Sequence, residues 1–82
     1  MIINDEGGIH MTLDQAKRGQ RLYIASITGD TVRAQAIRFG IFEGSEIHCA
    51  EKLPAGPIVI SKGKQEIAIG RRLAENIEVQ PA

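Results

Sequence analysis

The sequence predicts a mainly β protein with short helices, folded as a small antiparallel barrel. Three observations support this prediction: several short runs of alternating or β-branched apolar residues, a tight hairpin spacing around Gly63, and helical signals that do not separate every pair of strands. The third observation argues against a parallel βαβ sheet. Closure into a barrel also removes the strand edges that a sheet of such short strands would otherwise expose.

A central helix is predicted over residues 30–39. Asp30, which begins this helix, can accept hydrogen bonds from the free N–H groups of the first turn. Val32, Ala36 and Phe39 recur on one face, and we expect Phe39 to be the buried anchor of the helix. Gly40 ends the helix, because glycine adopts the left-handed C-cap conformation without steric cost.

The remaining elements are short and are delimited by turn residues. They are a helix over residues 13–18, strands over residues 21–28, 45–51, 58–61, 65–69 and 77–79, and a helical turn over residues 70–76. Thr12 and Gln15 form a capping-box pattern at the start of the first helix. Gly63 lies in a short gap between two strands, which suits a hairpin turn. The two prolines of residues 53–57 make that segment a loop.

Length, charge and cysteine content limit the classes of function. We expect a flexible N-terminal extension over residues 1–10 and a single domain over residues 11–82. Ten basic and ten acidic side chains leave no net positive charge, so nucleic acid is not an expected partner. Cys49 is the only cysteine, which excludes an intramolecular disulfide and favours the cytoplasm. No stretch approaches the ~20 apolar residues that span a membrane, so direct membrane insertion is not expected.

The evidence for a metal site is weak in this sequence. His48 and Cys49 are adjacent, but in a regular strand their side chains leave opposite faces and cannot chelate one ion. We expect Cys49 to face the core together with Ile47. Glu46 and His48 share the outer face, and His10 could reach them from the N-terminal extension. These three are weak metal-ligand candidates, against the simpler interpretation of a solvated strand face.

Catalysis is not expected from this chain. The sequence has no Gly-x-Ser-x-Gly motif, no Cys/His pair on a common face and no phosphate-binding glycine-rich loop, and nothing indicates a cofactor. Glu43 and Glu46 flank Gly44 in a turn. Solubilising charge is a simpler interpretation of this pair than acid/base chemistry, because no apolar pocket is indicated around them.

Four basic residues and one aromatic residue are candidates for a partner surface. Arg71 and Arg72 could converge with Lys62 and Lys64 at one end of the barrel, with a simple surface turn as the alternative. Phe42 lies in a turn and is the leading contact residue, with burial under the following loop as its alternative. Few aromatic residues accompany the basic ones, which disfavours single-stranded nucleic acid and proline-rich peptides as ligands.

Four segments, in order, resemble the FeoA family of small ferrous-iron-transport accessory proteins. They are Met11-Thr12-Leu13 with Lys17-x-Gly19-Gln20, the helix and turn from Asp30 to Ile47, the loop from Leu53 to Ile58, and the ending from Ile67 to Val79. The resemblance implies an SH3-like barrel, no catalysis, and an accessory role in ferrous iron uptake through contact with the cytoplasmic GTPase domain of a FeoB-type transporter. Glu43, where the family usually has proline, and the bulky Phe42 depart from the family pattern. We therefore expect the contact made by this turn to differ, and both residues are partner-contact candidates.

Two other interpretations share the same fold. The C-terminal SH3-like domain of iron-dependent repressors of the DtxR type resembles the FeoA family, although we find no DNA-binding module in this sequence. The other is a generic interaction or oligomerising barrel with weak self-association.

Overall fold

The computed structural model describes residues 11–82, which contain six strands, two α-helices and one 3₁₀ helix. The strands are β1 (Met11–Thr12), β2 (Arg21–Ile27), β3 (Glu46–Lys52), β4 (Ile58–Lys62), β5 (Gln65–Ile69) and β6 (Ile77–Pro81). The helices are the 3₁₀ helix Leu13–Gln15, α1 (Asp30–Arg38) and α2 (Arg71–Ala74). The expectations for residues 1–10, including His10, lie outside the described residues.

All six strands belong to one antiparallel sheet in the order β1-β6-β2-β3-β4-β5. The register of β2 shifts between Ile24 and Ser26, and that of β3 shifts between Cys49 and Glu51. Irregularities of this kind increase the twist of a strand and bend the sheet. The prediction of a mainly β antiparallel fold with short helices is confirmed.

The core lies on the inner face of the bent sheet and is mainly aliphatic. Its buried residues are Leu13, Ala16, Leu22, Ile24, Ile27, Ala36, Ile41, Ile47, Cys49, Ile58, Ile60, Ile69, Ala74, Ile77 and Val79. In β3, the buried Ile47 and Cys49 alternate with the exposed Glu46 and His48. The predicted orientation of this strand is therefore confirmed, because successive side chains of a strand point to opposite faces.

The helix α1 differs from its prediction at both ends. Its N-cap is Gly29, and no side-chain hydrogen bond caps the first turn. The prediction that Asp30 caps this helix is therefore wrong. Only Ala36 of α1 is buried, and Phe39 is 41% exposed, so Phe39 is not the buried anchor. Gly40, with φ 76°, turns the chain back, and the Ile41 N–H donates to the Ala36 carbonyl at 2.9 Å. This return places Ile41, which is 0% exposed, in the core.

The first predicted helix is only one 3₁₀ turn. Gln15 Oε1 accepts a hydrogen bond from the Thr12 N–H at 2.9 Å, in agreement with the capping pattern. The chain becomes extended at the buried Ala16 (φ −64°, ψ 151°), and the helix therefore stops there. The sequence did not predict β1, because two residues are too few to show a period of two.

The two connections on either side of β4 follow their predictions. Lys62 pairs with Gln65 in the β4–β5 hairpin, and Gly63 in its turn has φ 60°. Residues 53–57 form the loop between β3 and β4. Within this loop Ala55 has φ 56°, the only positive φ of a non-glycine residue in the described part of the chain.

Candidate functional site

The turn after α1 presents an aromatic ring at the surface. Phe42 is 49% exposed, and its N–H donates to Ser45 Oγ at 3.1 Å. Lys62 Nζ lies 4.6 Å from the centre of the Phe42 ring and donates a hydrogen bond to the Gly40 carbonyl. A cation at this distance is attracted to the ring face. The ring is thus held in place while half of it remains open to solvent.

Glu43 lies beside this ring and is paired with α1. Its Oε2 is 3.5 Å from Arg33 Nη1, and each of the two side chains is 46% exposed. Arg33 also donates from Nη2 to the Ile27 carbonyl at 2.9 Å, which fixes its direction. A half-exposed ion pair contributes little to stability, since solvent screens it. We call Phe42, Glu43, Lys62 and Arg33 the Phe42 cluster.

Arg71 is tied to the loop between β3 and β4. Its Nη2 donates to the Leu53 carbonyl at 2.8 Å, while its Nε is buried and has no hydrogen-bond partner within residues 11–82. Leu53 itself is 45% exposed. Arg71 therefore has a structural role in holding this loop, which was not anticipated from the sequence.

The four basic candidates do not form one patch. Lys62 and Lys64 lie at the turn of the β4–β5 hairpin, whereas Arg71 and Arg72 follow the far end of β5. A five-residue strand such as β5 separates the two pairs by roughly 13 Å along the backbone. The structure thus places Lys62 in the Phe42 cluster with Lys64 close by in the chain, and the two arginines elsewhere.

The metal-ligand candidates lie on the outer face of the sheet. Glu46 and His48 line a polar groove together with Arg21 and Ser61, and Arg21 pairs directly with His48 across β2 and β3. A guanidinium at this position disfavours the binding of a cation. Among the described residues, no group of three or more His, Cys, Asp or Glu side chains could hold a metal ion.

Cys49 has no access to this groove. Its side chain is fully buried, and burial raises the pKa of the thiol, with a smaller opposing effect from Lys52 and a further raising effect from Glu51. A buried, protonated thiol is a poor ligand and a poor nucleophile. The prediction that Cys49 serves as a small core residue is confirmed.

A second groove was not predicted from the sequence. It lies between the end of α1 and the end of β5, and its lining is mostly apolar. The lining includes Phe39, Ala68, Gly70 and Leu73, with Arg38 and Arg72 among them. We call this the α1–β5 groove. The signal for it was the repeated pair Arg38-Phe39 and Arg72-Leu73, a basic residue followed by a large apolar one near the end of each helix.

The sequence and the fold together decide the family. The FeoA domain family matches residues 11–81, which include every strand and helix described above. The chain belongs to the FeoA family. No match was found among curated proteins.

Solved structures agree with membership of the FeoA family. A crystal structure of iron uptake regulatory protein (FeoA) is 29% identical, with a TM-score of 0.83 over 90% of this chain and 100% of that chain. The FeoA protein from Chlorobium tepidum, determined by NMR, is 26% identical, with a TM-score of 0.75 over 87% of this chain and 70% of that chain. The predicted small SH3-like antiparallel fold and the resemblance to the FeoA family are therefore confirmed. The expected removal of strand edges is wrong, because β1 and β5 are the end strands of the sheet within residues 11–82.

A metal-dependent regulator shares the fold of this FeoA domain. The structure of the manganese regulator SloR has a TM-score of 0.79 at 15% identity, over 87% of this chain and 34% of that chain. Identity this low shows the fold alone. Within residues 11–82, the FeoA domain has no helix long and apolar enough to cross a membrane.

Proposed function

We propose that this chain is a non-catalytic accessory protein of ferrous iron uptake, acting in the cytoplasm by contact with the GTPase domain of a FeoB-type transporter. Membership of the FeoA family supports the connection to iron uptake. The observation that carries the contact hypothesis is the half-exposed Phe42 ring, held at the surface by Lys62.

The Phe42 cluster has the properties of an interface anchor. The free energy of an interface is concentrated in a few large side chains that lose their water on binding, and aromatic residues are enriched among them. Ordering a side chain on binding costs free energy, and the contacts of Lys62 with the Phe42 ring and the Gly40 carbonyl already limit that cost. Burying the exposed half of the ring against a partner would then contribute to affinity.

Charges around the ring would set the orientation and rate of association. Lys64 is exposed at the hairpin turn next to Lys62, and Glu43 is paired with Arg33 on the other side. A partner surface with acidic groups facing the lysines would bind faster at low salt, because complementary charge steers the encounter.

The test is a binding titration of the purified protein against the GTPase domain of the transporter from the same organism. We expect Phe42→Ala to weaken binding by at least about 10-fold, the loss typical of an anchor residue. Tyr23→Ala is the matched control, because Tyr23 is similarly exposed at 43% but lies on the outer face of β2, and it should change affinity by less than about 2-fold.

A second variant tests the contribution of the charges separately from that of the Phe42 ring. Lys64→Glu should slow association and reduce its dependence on salt while leaving dissociation nearly unchanged. If parent, Phe42→Ala and Lys64→Glu all bind equally, contact through the Phe42 cluster is wrong. If the parent does not bind at all, the proposed partner is wrong.

The alternative function is that of the SH3-like domain of an iron-dependent, DtxR-type regulator. The likeness to the manganese regulator SloR supports this alternative at the level of fold. Detecting the endogenous protein with an antibody would discriminate, since a product near 8.9 kDa supports the accessory protein and a much larger product supports the regulator.

A further inference from the structure

We propose that the α1–β5 groove binds an extended peptide segment of a partner protein, which adds as a strand to β5 and carries a large apolar side chain flanked by carboxylates. This surface is separate from the Phe42 cluster. It does not depend on the identity of the partner proposed above.

The strand β5 is a free edge of the sheet. It is the terminal strand in the order β1-β6-β2-β3-β4-β5, and within residues 11–82 it pairs only with β4. Lys62 and Gln65 flank the two-residue turn, and the pair that flanks such a turn is hydrogen-bonded. Hydrogen-bonded and non-hydrogen-bonded pairs then alternate along the antiparallel ladder, so Glu66 and Ala68 belong to non-hydrogen-bonded pairs. The N–H and C=O groups of Glu66 and Ala68 therefore point away from β4, where a further strand can bind them.

The groove beside this edge can take an apolar side chain. Phe39, 41% exposed, and the half-buried Leu73 face the space next to Ala68. A strand that pairs with β5 places alternate side chains toward this space, since successive side chains of a strand point to opposite faces. This combination of backbone pairing and side-chain pockets is how sheet edges recognise extended peptides.

The charges of the groove select an acidic occupant. Arg38 and Arg72 are exposed and lie in its lining, and their guanidinium groups form no ion pair or hydrogen bond with residues 11–82. No acidic side chain is among the lining residues. Two unpaired guanidinium groups favour the binding of carboxylates. Each guanidinium can bind one carboxylate through two parallel hydrogen bonds.

The test uses a blocked heptapeptide of alternating valine and leucine with an aspartate at each end, titrated into the isotope-labelled full chain and followed by amide NMR shifts. We expect saturable shifts at the amides of Glu66 and Ala68 and around Phe39. The same peptide with lysine in place of aspartate should bind at least about 5-fold more weakly, because it meets two like charges.

Protein variants localise the binding to the groove. Arg72→Ala should weaken binding of the acidic peptide by at least about 3-fold. Arg18→Ala is the matched control: it removes an exposed arginine that pairs with Glu51 outside the groove, and it should not change the affinity. Ala68→Pro removes one outward N–H without touching the β4 ladder and should also weaken binding. If that variant fails to fold, Phe39→Ser tests the apolar part of the groove instead.

Two results would overturn the proposal. One is that the acidic peptide causes no shifts at β5 at millimolar concentration, or that the lysine peptide binds equally well. The other is that the same amides shift with protein concentration in the absence of peptide, which would make the groove a contact between two copies of this chain.

Discussion

At the scale of single residues, the most consequential difference from expectation is that Phe39 is half-exposed, whereas Ile41 after the turn is fully buried. We expect Ile41→Ala to lower the free energy of unfolding by about 2–5 kcal/mol, because it removes a fully buried side chain from the core. Phe39→Ala should cost only about 1 kcal/mol, because Phe39 is already 41% exposed. Urea unfolding of both variants checks this order, and a larger loss for Phe39→Ala would contradict the packing described.

Cys49 gives a second prediction at the residue scale, through its protonation. Burial raises the pKa of the thiol in the folded state, so the unfolded chain loses this proton at a lower pH than the folded protein does. The protonated thiol of Cys49 therefore contributes fully to stability at neutral pH. This contribution decreases as the pH rises from the ordinary pKa of a thiol toward the raised pKa of the folded state. The free energy of unfolding, measured from neutral pH upward, should decline less steeply for Cys49→Ala than for the parent.

The same burial protects the thiol from reagents. At neutral pH the native protein should react with a disulfide reagent at least about 100-fold more slowly than the denatured chain, because reaction requires local opening that costs about 3 kcal/mol or more. A native rate equal to the denatured rate would show that Cys49 is accessible.

At the scale of elements, the end of α1 determines how the chain enters the Phe42 cluster. Gly40 has φ 76°, a conformation that costs a residue with a Cβ about 1–2 kcal/mol, so Gly40→Ala should lower the free energy of unfolding by that amount. Gly70→Ala is the matched control. Gly70 has φ −60° and an added Cβ would meet nothing within 4 Å, so the lower entropy of the unfolded chain should offset the preference for glycine at this N-cap and leave the variant close to neutral. Thermal unfolding of the two variants distinguishes them, and equal losses would argue against the left-handed turn.

The elements that could be predicted from the sequence were those with local signals. Turn-forming glycine and proline residues located the turn at Gly63 and the loop at residues 53–57. The alternation of buried and exposed side chains along the strand gave the orientation of β3. The short strand β1 could not be predicted, because its pairing with β6 depends on a partner far away in the chain. The end of α1 was misjudged since helical periodicity continues through Phe39, while the turn at Gly40 decides which side chain reaches the core.

In the candidate site too, features with local sequence signals could be predicted, whereas features that depend on tertiary packing could not. The turn residues around Phe42 indicated a surface position, with burial under the loop of residues 53–57 as the open alternative, and the ring is 49% exposed. The separation of Arg71 from Lys62 and the formation of the α1–β5 groove depend on how the β4–β5 hairpin lies against α1 and α2. Contacts of this kind are set by tertiary packing, which local sequence patterns do not encode.

At the scale of the whole molecule, the order of the strands connects the two ends of the described chain. The last strand, β6, lies between β1 and β2 and pairs with both, while β1 and β2 do not pair with each other. Pairings over such sequence separations form late, because the intervening loop must close first.

This arrangement has a consequence during synthesis on the ribosome. While β6 is still inside the exit tunnel, β1 has no partner and β2 can pair only with β3, so the nascent chain exposes the edge of β2 that β6 later pairs with. The sheet becomes complete only after Ile77–Pro81 has emerged. We therefore expect a chain cut short before β6 to leave the ribosome with its sheet incomplete, as a target for chaperones and proteases.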